Sequence, residues 1–321
     1  MFNVSLRILD SASKKPLPVR LRICDHDGRT YAPLGQLAEF ATGRNEDVGG
    51  HLWEGTAWCY IDGACEVPLP AGVRLIIEAR HGPEYLPLRH EVTLGPGQMA
   101  LRLTMERLVD YRARGWYPGD TRCHFLSPHA AFLEGMAEDL DVVNLLVAES
   151  QVLSQDGKLY PSAPNLVAFS GQQPALERDG HMVAVNTFHA HPVLGQLSLL
   201  HCHRAIFPLS FGGPDQTDDW SLADWCDQCH RKKGLVVWSD PFRFDNGIAP
   251  EALADLILGR IDAVECTPTT TPLNAIYSAW SAGIRFPLVG ASGKDSNCEA
   301  LGSMRTYAYL SKFREAVATY A

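Results

Sequence analysis

Long apolar runs are missing from this 321-residue chain; none approaches the ~18 residues that cross a bilayer, which speaks against a helical membrane protein. Positive charge is scarce. With 28 Lys and Arg against 37 Asp and Glu, the formal net charge is −9, and no domain-wide basic surface offers itself to a nucleic-acid backbone. Glycine-rich phosphate loops (GxGxxG, GxxxxGK[ST]) are absent, which removes the main sign of a nucleotide-binding open sheet. A Gly-x-Ser-x-Gly nucleophile turn is also absent. The nine cysteines are odd in number and lack framework spacing, a pattern of reduced thiols in a cytoplasm. Met1–Arg7 has no basic stretch leading into an apolar one, so no secretory leader is expected. What is there describes a soluble globular protein: 46% hydrophobic and 20% charged residues, in a length that suits two domains.

The two halves of the chain differ in period. Up to residue 107, runs such as Val4–Leu9, Val19–Ile23, Val73–Glu78, Leu86–Leu94 and Ala100–Met105 alternate with a period of two and are separated by turns rich in Pro, Gly and Asp. A small antiparallel sandwich is expected at 1–107. It concentrates neither histidine nor carboxylate, so packing or partner binding is its expected role. From residue 108 to 321 strands alternate with helices, which predicts a parallel sheet closed into a barrel, with a doubly wound open sheet as the alternative. Helices are expected at Ala130–Asp139, Ser221–Lys233, Glu251–Leu258 and Leu273–Ala282, the last two opened by Pro250 and Pro272. The polar stretch Gln151–Pro174 reads as a strand-poor functional loop.

Seven apolar runs of this second half end in metal-ligating or proton-carrying residues. They lead to His124, Glu149, the pair His189 and His191, the pair His201 and His203, Asp240, Glu265, and Lys294 with Asp295. In a barrel of parallel strands all such ends meet on one rim, where catalytic groups gather. Each residue also has a plainer reading. The two HxH pairs are as well explained by polar packing. Cys226-Asp227-Gln228-Cys229-His230 matches a haem-attachment spacing but lies in a predicted helix, where buried cysteines are the simpler reading.

Gly115-Trp116-Tyr117-Pro118-Gly119-Asp120-Thr121-Arg122-Cys123-His124-Phe125 resembles the opening Asp-x-His-x-His motif of PHP-type (polymerase and histidinol phosphatase) metallohydrolases. Ala137–Val143, Asp262–Glu265 and Tyr277–Asp295 are similar to later segments of that superfamily. Lys15–Arg20 with the Asp25–Gly28 turn is similar to the carboxypeptidase-regulatory-like sandwich fused ahead of CehA/McbA-type members. The resemblance implies a distorted (β/α)7 barrel after a small β-sandwich. It also implies one to three divalent metals at the C-terminal rim and hydrolysis of a phosphate or carbamate ester or an amide.

The chain departs from the motif at several ligands. Arg122 stands at the first histidine, and a guanidinium cannot shed a proton to ligate a cation. Gln196, Asp240 and Asn297 stand where other histidines are expected. The remaining candidate metal ligands are His124, Asp240, Glu265 and Asp295, joined by His203 or His191 if their strands face inward, for zinc or manganese. Asp120 is expected to orient His124 from behind, and Arg122 or Lys294 to clamp the anionic part of a small-molecule substrate. The competing expectation is a degenerate barrel, a binding or scaffold protein, in which Arg122 fills the metal space and pairs with Asp240, Glu265 or Asp295.

Overall fold

A computed structural model describes residues 1–36, 49–153, 157, 159–212, 219–242, 250–268 and 272–311. Among the described residues, eight strands form the first part: β1 (Phe2–Asp10), β2 (Val19–Asp25), β3 (His51–Trp53), β4 (Thr56–Ile61), β5 (Ala64–Leu69), β6 (Arg74–Arg80), β7 (Leu88–Thr93) and β8 (Ala100–Met105). They make two sheets, β5-β1-β8 and β3-β4-β2-β6-β7. Alternation sends Leu6, Ile8, Leu21, Ile23, Val67, Leu75 and Ile77 into the core between them, all nearly inaccessible to solvent. Pairing is antiparallel except for β1 with β8, which run parallel.

The rest of the chain supplies β9 (Trp116–Cys123), α1 (Pro128–Ala137), β10 (Val142–Val147), β11 (Ser150–Leu153), β12 (Leu159–Ser162), β13 (Leu176–Arg178), β14 (His181–His191) and β15 (Gly195–Leu200). It continues with α2 (Leu222–Arg231), β16 (Leu235–Ser239), α3 (Glu251–Ile257), β17 (Ala263–Cys266), α4 (Leu273–Ser281), β18 (Leu288–Gly290) and β19 (Thr306–Tyr309). One mixed sheet runs β18-β17-β16-β15-β14-β10-β9-β19, with β13 on β14. It curls until the loop after β18 meets β9. His124 N donates to Lys294 O at 2.7 Å and Gly293 N to Arg122 O at 3.1 Å. The result is a nearly closed, barrel-like sheet. Its lower interior is an apolar plug of Leu146, Phe188, Leu200, Val237 and Ala263.

The structure departs from two of the expectations. The sheet is not uniformly parallel: β14–β15 and β15–β16 pair antiparallel, so β15 runs against its neighbours. Only three residues separate β14 from β15, too few for the crossover that parallel neighbours need. The stretch 151–174 is not strand-poor either, because β11 and β12 pair across it, with Ser150 opposite Ser162.

The helices form where their caps dictate. Ser127 Oγ accepts from Ala130 N ahead of Pro128, and Ser221 with Asp224 makes a reciprocal capping box at α2. Helix α1 carries the contact with the sandwich. Its buried Glu134 accepts from Gly50 N at 3.0 Å, and Glu138, just past its end, accepts from the Tyr60 hydroxyl at 3.0 Å and faces Arg20 at 3.3 Å. Among the described residues no helix is long and apolar enough to cross a membrane.

Candidate functional site

Inward parity on the strands builds a cavity of about 300 Å³ at the mouth above the apolar plug. Strand β9 points Arg122 toward it and His124 follows at the strand's end. Leu146 comes from β10, Phe188 from β14 and Gln196 from β15. Past the strand ends, Phe125, Glu149, Asp240 and Asp295 complete the wall with Ala148, Ser150 and Pro164. Phe125 (φ +57°) and Asp240 (φ +45°) both adopt left-handed backbone, a conformation unfavourable for residues with a side chain.

Arg122 is the centre of the polar arrangement. Its Nε donates to Glu265 Oε2 at 2.9 Å and its Nη2 to Oε1 at 2.7 Å, a two-point clamp on a carboxylate with no solvent exposure. Nη2 also reaches Asp240 Oδ1 at 3.4 Å. The guanidinium lies 5.5 Å from the Phe188 ring centre. Nη1 sits 3.3 Å from His124 Nε2. Since a guanidinium only donates, His124 Nε2 accepts; Leu146 O, 3.2 Å from Nδ1, only accepts, so Nδ1 carries the proton. Burial pushes the Glu265 carboxyl above its ordinary range, and Arg122 opposes that shift. Burial likewise works against the charge on Arg122, but Glu265 and then Asp240 more than offset it, and its pKa is raised.

This donor set does not fit a metal ion as it stands. The imidazole lone pair, both Glu265 oxygens and an Asp240 oxygen are turned onto one guanidinium, whose permanent charge repels a cation and which offers no lone pair. Among the described residues no three His, Cys, Asp or Glu side chains come together closely enough to hold one.

The structure brings Arg122, His124, Asp240, Glu265 and Asp295 to one mouth; Asp295 is on its exposed edge. It takes the other sequence candidates elsewhere. Asp120, fully buried, accepts from Ser292 N at 3.0 Å, Gly302 N at 2.8 Å and Arg122 N at 3.2 Å. It pins the loop 291–302 in place of orienting His124, whose ring is set by Leu146 O. Lys294 does not face the cavity. Its Nζ is buried toward the sandwich, donating to Gly50 O at 3.0 Å and Glu299 O at 2.8 Å, with Glu134 at 3.4 Å. His203 is exposed, with Nδ1 on Lys232 O, at the opposite mouth, because β15 is reversed. His191 lies on the outer face of β14, the face opposite to Phe188, and its Nδ1 accepts from Leu194 N at 2.8 Å. His189 shares that outer face, between Pro208 O and Thr187 Oγ1.

Among the wall residues outside the sequence set are Gln196, Phe188 and Glu149. Gln196 was visible only as a missing histidine, and Phe188 only by the parity of β14. Glu149, although recognised as a strand-end carboxylate, was not included; it accepts from Ser210 Oγ at 2.7 Å.

A barrel-like mixed sheet with an arginine-centred polar mouth is thus the class of molecule the geometry defines. No family model matches the chain, and no curated protein does. Among solved structures it is similar to a two-domain protein of Bacteroides vulgatus ATCC 8482 that contains a predicted PHP-like metal-dependent phosphoesterase. The identity is 12% and the TM-score 0.37, over 56% of this chain and 52% of that one. It is also similar to PsfC from Pseudomonas syringae PB-5123, at 13% identity and TM-score 0.36, over 64% of this chain and 96% of that one. The chain therefore spans about half the length of the first of these.

Proposed function

We propose that this chain is a PHP-like barrel, preceded by a sandwich at 1–107, in which Arg122 has replaced the catalytic metal. Its mouth binds a small polar molecule and does not hydrolyse one through a bound cation. The supporting observation is the two-point clamp of Arg122 on Glu265, with Asp240 and the His124 lone pair on the same guanidinium. That arrangement satisfies the charges a metal would otherwise satisfy. It also argues against an anionic ligand, since one expected clamp, Arg122, is committed to carboxylates and the other, Lys294, is buried on the far side.

Metal-dependent hydrolysis is the second reading, favoured by the convergence of His124, Asp240 and Glu265 within 3.4 Å of a common group. Metal content and melting temperature, measured on protein purified without added metal and then given Mn²⁺ or Zn²⁺, separate the two. The binding-protein reading expects neither near-stoichiometric metal nor a melting shift, and expects both in Arg122→His. Near-stoichiometric metal in wild type, lost in His124→Ala and Glu265→Ala, would establish the hydrolase reading in its place.

A further inference from the structure

A pair of thiols at the opposite mouth belongs to neither reading of the cavity. Cys202, two residues past the end of β15, and Cys229 of α2 place their sulfurs 3.3 Å apart, and both side chains are buried. Gly234 leaves room for the pair: a Cβ there would lie 2.4 Å from Cys202 Sγ and 2.7 Å from Cys229 Sγ. The CxxC spacing in the sequence pairs Cys229 with Cys226, but the fold gives Cys229 the distant Cys202 as its sulfur contact.

We infer that Cys202 and Cys229 form an oxidisable dithiol that a small hydroperoxide converts to a disulfide. The two sulfurs have different parts. A hydrogen bond from Cys229 pulls the Cys202 thiol below its ordinary range, burial opposing and the Lys232 charge assisting. The same bond, with burial, holds Cys229 far above it. Cys202 is therefore the attacking sulfur. Its thiolate displaces the peroxide O–O bond, forming an S–O bond and releasing water or an alcohol. Cys229 then attacks that sulfur, the S–S bond forms, the S–O bond breaks, and hydroxide leaves with the Cys229 proton as water. Two thiols are oxidised by two electrons and one hydroperoxide is reduced. Because both sulfurs are buried, bulky disulfides such as oxidised glutathione are poor reagents here.

The cross-link falls at the root of a segment that reaches the cavity. From Cys202 the chain runs to Pro208, whose carbonyl accepts from Trp225 Nε1 at 2.9 Å and faces His189 Nδ1 at 3.1 Å. It then reaches Ser210, which holds Glu149 in the cavity wall. Oxidation ties the start of that segment covalently to α2.

The test uses the full chain with exposed Cys298 replaced (Cys298→Ser), treated with hydrogen peroxide or oxidised glutathione, alkylated, and mapped by peptide mass spectrometry. The expected product is a Cys202–Cys229 linked peptide that dithiothreitol removes, formed about tenfold or more faster with peroxide than with glutathione. Cys229→Ser is expected to stop at a sulfenic acid on Cys202 that dimedone traps. A Cys226–Cys229 link, two thiols that remain reduced after prolonged peroxide, or equal rates with the two oxidants would each overturn the inference.

Discussion

Replacing Arg122 with methionine removes the guanidinium and keeps most of the side-chain volume. Glu265, which has no solvent exposure, is then left as an unpaired carboxylate beside Asp240. Breaking one side of a buried ion pair costs about 3–5 kcal/mol. For a domain of this size that corresponds to a fall of about 6–20 °C in melting temperature. The loss has a pH signature. Burial already raises the Glu265 carboxyl, and without Arg122 only a backbone hydrogen bond from Asp240 still opposes that rise, while the Asp240 charge adds to it. A carboxyl whose folded pKa exceeds its unfolded one is protonated on folding, so the variant's deficit is smallest below about pH 4 and grows as pH rises above it. Glu265→Leu added to Arg122→Met removes the orphaned charge and is expected to recover most of the stability. Urea unfolding of the wild type, Arg122→Met, Glu265→Leu and the double variant at pH 4 and pH 8 is the assay. A single-variant loss under about 1 kcal/mol, or no recovery in the double variant, would refute the claim that the pair fills the barrel mouth.

Gly49→Ala, with φ at +72° and the new Cβ 2.3 Å from Glu134 Oε1, is expected to cost about 1–3 kcal/mol in urea unfolding. Burial pushes the Asp141 carboxyl up to about 7, Arg112 opposing, so this group lowers stability as pH rises from about 4 to 7. Asp141→Asn should flatten that decline in a pH series of unfolding free energies, while Arg112 keeps Asp139 as a partner. Burial lowers His189 to about 3, so the unfolded chain takes up a proton that the folded one refuses once pH drops below about 6.5. Stability is therefore lost on acidification from about 6.5 toward 3, and His189→Gln should make that loss shallower in the same series.

The helices and much of the sandwich were legible because their signals are local. Ser221 with Asp224 and Gly234 bracket α2, Pro128 and Ser127 open α1, and alternation marks β1, β2 and β6. The strand direction of β15 was not read, although the three-residue link after His191 contains it, since such a link permits only a hairpin. That one reversal moves His203 to the far mouth and brings Gln196 to the near one. Parity explains His189 and His191: with Phe188 inward, both neighbours at odd spacing face out. The destination of Lys294 was not legible at all, because it depends on Glu134 and the Gly50 carbonyl meeting it from two other segments. Arg122 pairing with Glu265 and Asp240 was legible as one of two alternatives. A guanidinium where a ligand is expected needs carboxylates, and those two are left at the strand ends.

The position of the Arg122 side chain decides between a filled mouth and a metal site, and a crystal of the wild-type protein soaked in Mn²⁺ measures it most directly. The expected result is a guanidinium still held by both Glu265 oxygens, with no cation between His124, Asp240 and Glu265. An Mn²⁺ ion ligated by those three residues, with Arg122 swung out of the mouth, would contradict it.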